Sequence, residues 1–244
     1  MTIENVLIVV GVAAVAMCAM LWIKLRGPED TFVIATIRVV AWVYTHTFHR
    51  LRSNLGGADP LPEEGAAIVV ANHHTSVDPV LLSVLTHRRI HFLMAREYYE
   101  MFACRWFFRA LECIPVNRDA KDLSATKRAL RVLREGRIIG IFPQGGIRDP
   151  DDTLDGKGGV ALLALRSGAP IIPFYISSTS ASQSILRGLL MPSNTFVYRG
   201  ETIIPQTSGG KSSRDQIDAL TDQVLCAISN LASASETKAR TSTR

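Results

Sequence analysis

The residue types best suited to chemistry in this chain fall in Asn72-His73-His74-Thr75-Ser76-Val77-Asp78. Five residues along one continuous helix set two side chains about 140° apart, so His73 and Asp78 meet only if His73 lies in a loop ahead of the helix. The flanks predict that arrangement. An apolar run over 66–71 reads as a strand, and Pro79-Val80-Leu81-Leu82 reads as the first turns of a helix. Ser76 is then the expected N-cap, with Asp78 in the first turn and Pro79 tolerated because its missing N–H has no helical partner there. Held this way, Asp78 fixes one imidazole nitrogen of His73 and leaves the other to take a proton. No nucleophilic Ser completes a triad, so the substrate is expected to bring the hydroxyl. The alternative, a metal on His73, His74 and Asp78 with His87 and His91 nearby, lacks a Cys or Glu-x-x-His pairing to complete it and ranks below the base.

Two further stretches end predicted strands with groups that suit an anion. Ile114-Pro115-Val116-Asn117-Arg118 presents an Arg, whose planar fork matches phosphate oxygens. Read alone, it is a surface Arg at a strand end. Ile138 to Phe142 runs into Pro143-Gln144-Gly145-Gly146-Ile147-Arg148, where the Gly pair permits a tight turn with backbone N–H groups facing outward. Lys157-Gly158-Gly159 opens the next helix and offers another amino end. Gly209-Gly210-Lys211-Ser212 is not a P-loop, since Pro205 stands where the first Gly is required. The chain also has no Gly-x-Ser-x-Gly elbow.

The elements that must position these groups alternate. Strands are predicted over 67–71, 90–94, 113–117, 137–142, 171–176 and 195–199, and helices over 78–86, 98–110, 122–135, 158–167 and 214–232. The alternation predicts an α/β domain over 57–232, a largely parallel or mixed sheet flanked by helices. In helix 122–135, Leu123, Leu130 and Leu133 form the apolar side and Gly136 ends it. Residues 1–56 read as a membrane-anchoring helical segment. Val6 to Ile23 is an unbroken run of eighteen apolar or Gly residues, about 27 Å as a helix, followed at once by Lys24 and Arg26. The positive-inside bias then puts the bulk of the chain on the cytoplasmic face of a membrane. Residues 31–52 carry Arg38, His46 and His49 among Phe32, Trp42, Tyr44 and Phe48, and read as an interfacial amphipathic helix. The polar residues 233–244 read as a disordered tail.

Among 244 residues, 47% are apolar and the formal net charge is +5, with no basic cluster interleaved with aromatics. That favours anionic lipid or a phosphorylated substrate, and no nucleic acid. Cys18, Cys104, Cys113 and Cys226 show neither disulfide nor zinc spacing.

Taken in order, NHHTSVD, IPVNRD, FPQGG and APIIPF resemble the four motif blocks of the glycerolipid acyltransferase family that includes the 1-acylglycerol-3-phosphate acyltransferases. The resemblance covers about 65–200. It implies His73 as general base and Asp78 as its orienting partner, in agreement with the reading from the residues themselves. It puts acceptor binding on Arg118 and on Phe142, Pro143, Gln144, Gly145 and Gly146, with Arg148 nearby. It also implies acyl-CoA or acyl carrier protein as donor, a lysophospholipid as acceptor, and no cofactor or metal. The chain departs from the pattern at Gln144, where Glu is usual, at Gly146, where Thr is usual, and at Ile147, where Arg is frequent, with Arg148 one place later. Glu112 puts a negative charge near the second block. Lysophosphatidate is the expected acceptor. Another lysolipid, an amine-bearing lipid, a lipid-binding protein without turnover and a metal-dependent phosphoesterase are the alternatives.

Overall fold

A computed structural model describes residues 6, 16–102, 104–117, 122–147, 158–179, 182, 184–206 and 213–242. The β-branched run of β2 (Ala67–Ala71) is buried along its whole length, as a strand covered on both faces must be. Ile68 and Val70 enter one apolar cluster, and Ala67, Val69 and Ala71 enter the other. The remaining strands are β1 (Arg52–Ser53), β3 (Ile90–Ala95), β4 (Ile114–Val116), β5 (Ile138–Ile141), β6 (Ile171–Ser178) and β7 (Thr195–Arg199). They form one sheet in the order β1-β7-β6-β2-β5-β3-β4. From β6 to β4 all neighbours are parallel; β7 runs antiparallel to β6, and β1 runs parallel to β7. The sheet is therefore mixed with a parallel centre, as the alternation predicts.

Helices α1 (Phe32–Thr47) and α2 (Asp78–Ser83) lie with the cluster that holds Leu81, Leu82 and Phe174. Helices α5 (Leu123–Arg134), α6 (Gly159–Ser167) and α8 (Arg214–Ser242) supply the opposite cluster with Ala129, Leu133, Val160, Ala164, Val224 and Ile228. Because α2 leaves β2 on one face and α6 leaves β5 on the other, the carboxyl ends of these neighbouring strands form a switch point, the place where an open α/β sheet is expected to leave a ligand crevice. α5 starts on Asp122, whose side chain accepts from the backbone N–H of Ser124 and Ala125, and it stops at Gly136, at φ 72°. Leu123, expected on its apolar side, is exposed; Ala125 and Ala129 fill that side with Leu130 and Leu133.

Other differences have local causes. The helix predicted over 98–110 is two short ones, α3 (Arg96–Tyr99) and α4 (Arg105–Ala110). The tail expected to be disordered from residue 233 continues α8 to Ser242, and Ser235 is buried beside Tyr175 of β6. α7 (Ile185–Leu190), with Ser184 as a side-chain N-cap, was not predicted. In α1, Arg38 turns inward: its Nε meets Asp30 Oδ2 at 2.8 Å and its Nη1 donates to the Ser83 and Thr86 carbonyls. The stripe Phe32, Val33, Thr36, Val40, Val43 and Thr47 faces outward without a charged side chain. Residues 16–25 are helical. Among the described residues no helix is long and apolar enough to cross a membrane; residues 7–15 of the apolar run lie outside them.

Candidate active site

The loop after β2 turns back on itself around Asp78. That carboxylate is 0% exposed, and its Oδ2 accepts from His73 Nδ1 at 2.9 Å, His74 N at 2.7 Å and Thr75 N at 2.8 Å. Its Oδ1 accepts from Thr75 Oγ1 at 2.8 Å. Four donors satisfy a buried carboxylate whose desolvation would otherwise be costly. The bond to Asp78 keeps the proton of a neutral His73 on Nδ1 and makes Nε2 the basic nitrogen. The side chain of His73 is 15% exposed, so the ring reaches the crevice. The predicted helix cap is displaced: Val77 occupies the N-cap position without a side-chain bond, and Ser76 Oγ donates to the Ile185 carbonyl of α7 at 3.0 Å. Asp78 faces back into the loop and binds donors ahead of the helix, while Thr75 Oγ1 accepts from Val77 N at 3.3 Å and the Thr75 carbonyl from Asp78 N at 3.2 Å.

The loop after β5 supports the ring from its other side. Phe142 stacks on His73 with centroids 4.1 Å apart, and Phe92 of β3 stacks on Phe142 at 5.7 Å. Gly140 makes this column possible. It pairs across the sheet with Phe92, and a Cβ there would lie 2.4 Å from the Phe92 ring. Phe142, expected to bind substrate, stacks on the ring of His73. Pro143 is buried, and Gly145, at φ 70°, closes a turn in which its N–H donates to the Phe142 carbonyl at 3.0 Å. Gln144 Oε1 accepts the backbone N–H of His73 at 3.1 Å. Gly146 follows Gly145 at the rim of the crevice, partly exposed.

Two anchoring contacts carry no sequence signal, because their partners are distant in the chain. Asn72 Nδ2 donates to the Ile176 carbonyl at 2.9 Å and its Oδ1 accepts from Ile176 N at 2.7 Å, which extends the β2–β6 pairing beyond Ala71 and Phe174. α7 lies against the loop so closely that a Cβ on Gly188 would sit 2.8 Å from Ser76 Oγ. Tyr44 of α1 holds α7 by donating to the Leu189 carbonyl at 2.6 Å, and its hydroxyl is 2.8 Å from Nε2 of His49. Burial lowers the pKa of His49, against a raising influence from Asp78.

Arg118 and Arg148, both expected to hold the acceptor's phosphate, lie outside the described residues, as does Lys157. Glu112 stands just before β4, at φ 53°, paired with Arg89 and Arg137. His87 pairs with Asp59, and His91 is buried between Glu112 and Arg137, so neither joins His73. Among the described residues no group of three His, Cys, Asp or Glu side chains could hold a metal ion. A cavity of about 620 Å³ opens at the far end of the sheet beside Pro170 and Arg199, away from the histidine loop.

Residues 52–177, β1 through β6, match the Acyltransferase family model, so the chain belongs to the acyltransferase family. It is 27% identical over 128 residues to 1-acyl-sn-glycerol-3-phosphate acyltransferase of Bacillus subtilis, a match covering 52% of this chain and 63% of that protein. It is 26% identical over 144 residues to the protein of that name from Borreliella burgdorferi, covering 58% and 57%. The match therefore spans about three-fifths of each relative's length. The crystal structure of the 1-acyl-sn-glycerophosphate (LPA) acyltransferase from Thermotoga maritima shares the fold, with a TM-score of 0.58 at 20% identity over 81% of this chain and 80% of that one.

Proposed function

We propose that this chain moves a fatty acyl group from acyl-CoA or acyl carrier protein to the free hydroxyl of a lysophospholipid, with 1-acylglycerol-3-phosphate as the leading acceptor. The observation that carries this reading is the His73–Asp78 pair at the mouth of the crevice. Nε2 takes the proton of the acceptor hydroxyl as that oxygen attacks the thioester carbonyl. The carbon–sulfur bond breaks, and the proton passes to the departing thiolate, giving an ester and a free thiol. The two hydroxyls beside His73 donate elsewhere, Thr75 to Asp78 and Ser76 to Ile185, which favours direct transfer over a covalent acyl-enzyme. Arg118, Arg148 and the Phe142–Gly146 turn would position the phosphate. The uncharged outer stripe of α1 supports contact with lipid, with residues 6–23 as the anchor and the site on the cytoplasmic face.

The test is transfer of a labelled acyl group from each donor to a panel of lysolipids, in detergent with a chelator. Release of one thiol per ester formed is expected, fastest with lysophosphatidate. Lipid binding by folded protein without transfer to any acceptor would overturn the enzymatic reading.

A further inference from the structure

α7 rests on the catalytic loop and turns an apolar surface outward. Of its residues only Gly188 is buried, against Ser76, while Ile185, Leu186, Leu189 and Leu190 are exposed and Met191 follows at once. Leu186 and Leu190, one turn apart on the same side of the helix, are 66% and 65% exposed. Single apolar residues at a surface are ordinary, but leucines gathered in this way on one short helix mark a surface that something covers. The family match stops at residue 177, ahead of α7.

The surroundings select a lipid surface as the cover. Arg187 is the single charge of the helix, and its Nε donates to Met191 Sδ at 2.9 Å rather than to a carboxylate. The sequence has no Asp or Glu between Asp155 and Glu201. A cation among exposed leucines suits anionic headgroups with acyl chains below them. The patch also adjoins the uncharged stripe of α1. The Tyr44 hydroxyl holds the Leu189 carbonyl, and Val40 and Val43, one turn and one residue before Tyr44, are exposed. The buried side of α7 meanwhile grips the loop: the Ile185 carbonyl accepts from Ser76 Oγ, and just ahead of the helix Ser182 N donates to the His74 carbonyl at 3.1 Å.

We propose that α7 is a membrane-inserting element that seats the catalytic loop on the bilayer, so that the lysolipid reaches His73 from the lipid phase. The route to His73 rests on the acyltransferase reading; the insertion of α7 does not. The experiment reads the two separately, on the full chain. Leu190→Trp, with wild type and its Trp22, Trp42 and Trp106 as baseline, is bound to vesicles of phosphatidylcholine and phosphatidylglycerol with brominated acyl chains. The fluorescence that the substitution adds is expected to be quenched by the bromines and shielded from acrylamide in the water. In the second arm, Leu186→Ser combined with Leu190→Ser, its fold checked by circular dichroism, is compared with wild type on two acceptors. These are lysophosphatidate in vesicles and a short-chain lysophosphatidate dissolved as monomers. KM is expected to rise about 10-fold on vesicles and to stay within about twofold on the dissolved acceptor. Added fluorescence open to acrylamide on vesicle-bound protein, an unchanged vesicle KM, or an equal loss on both acceptors would overturn the inference. So would a dimer in lipid-free solution that already shields the position, since the cover would then be a second copy. Insertion of α7 in a wild type that transfers to neither acceptor would uphold the membrane contact and overturn the acyltransferase reading.

Discussion

At the scale of single residues, the site depends on a carboxylate that cannot be replaced by its amide. Asp78 accepts four hydrogen bonds, three of them on Oδ2. An Asn offers one acceptor oxygen and sets an N–H against donors, leaving buried groups unpaired at about 1–3 kcal/mol each. Asp78→Asn is therefore expected to lower the melting temperature and to reduce kcat about 10²- to 10⁴-fold, because the imidazole is freed to take the wrong tautomer. Thermal melts and steady-state kinetics check both; a kcat within twofold of wild type would separate Asp78 from the chemistry. The pairing of His73 with Asp78 was legible because spacing, a strand before and a proline after leave one local geometry. The bonds of Asn72 and Gln144 were not, since their partners lie 104 and 71 positions away.

At the scale of elements, β5 positions the ring of His73 through an absence. Gly140 leaves room for Phe92, Phe92 packs on Phe142, and Phe142 packs on His73. Gly140→Val forces Phe92 aside, since even a Cβ lies 2.4 Å from its ring. Overpacking of this kind costs about 1–3 kcal/mol. The account expects that loss in denaturant melts together with a fall in kcat of about 10-fold or more, because a small misplacement of a catalytic group is expensive. A destabilised variant with unchanged kcat would show that the aromatic column does not position the base. The central strands were legible from their β-branched runs. α7 was not: it is six residues long, its leucines are exposed, and its place is set by Gly188 and Tyr44. The predicted tail failed for a related reason, since its polar sequence hides the contact of Ser235 with the sheet.

At the scale of the whole molecule, the end of the sheet remote from the crevice holds a pH-sensitive support. His91 is 0% exposed, with Nδ1 on the Glu112 carbonyl and Nε2 accepting from Arg137 Nε. Burial first, and then the Arg137 charge, lower its pKa to about 4. The folded form therefore holds His91 neutral, while the unfolded chain takes up the proton near pH 6.5. Its contribution is complete above about pH 6.5 and is lost as pH falls towards 4. His91→Gln keeps a donor and an acceptor but does not titrate. The variant is expected to show a flatter decline in stability between pH 6.5 and 4 in denaturant melts, with the remaining slope supplied in part by His49, whose pKa is also lowered. An unchanged slope would move the sensitivity away from His91.

The central claim is that His73 is the base of an acyl transfer, and the most direct measurement is that transfer in wild type and His73→Ala side by side, with lipid binding followed on both. The account predicts ester formation by wild type and a loss of at least about 10²-fold in kcat in the variant, with lipid binding unchanged. Equal transfer by the two proteins would contradict it.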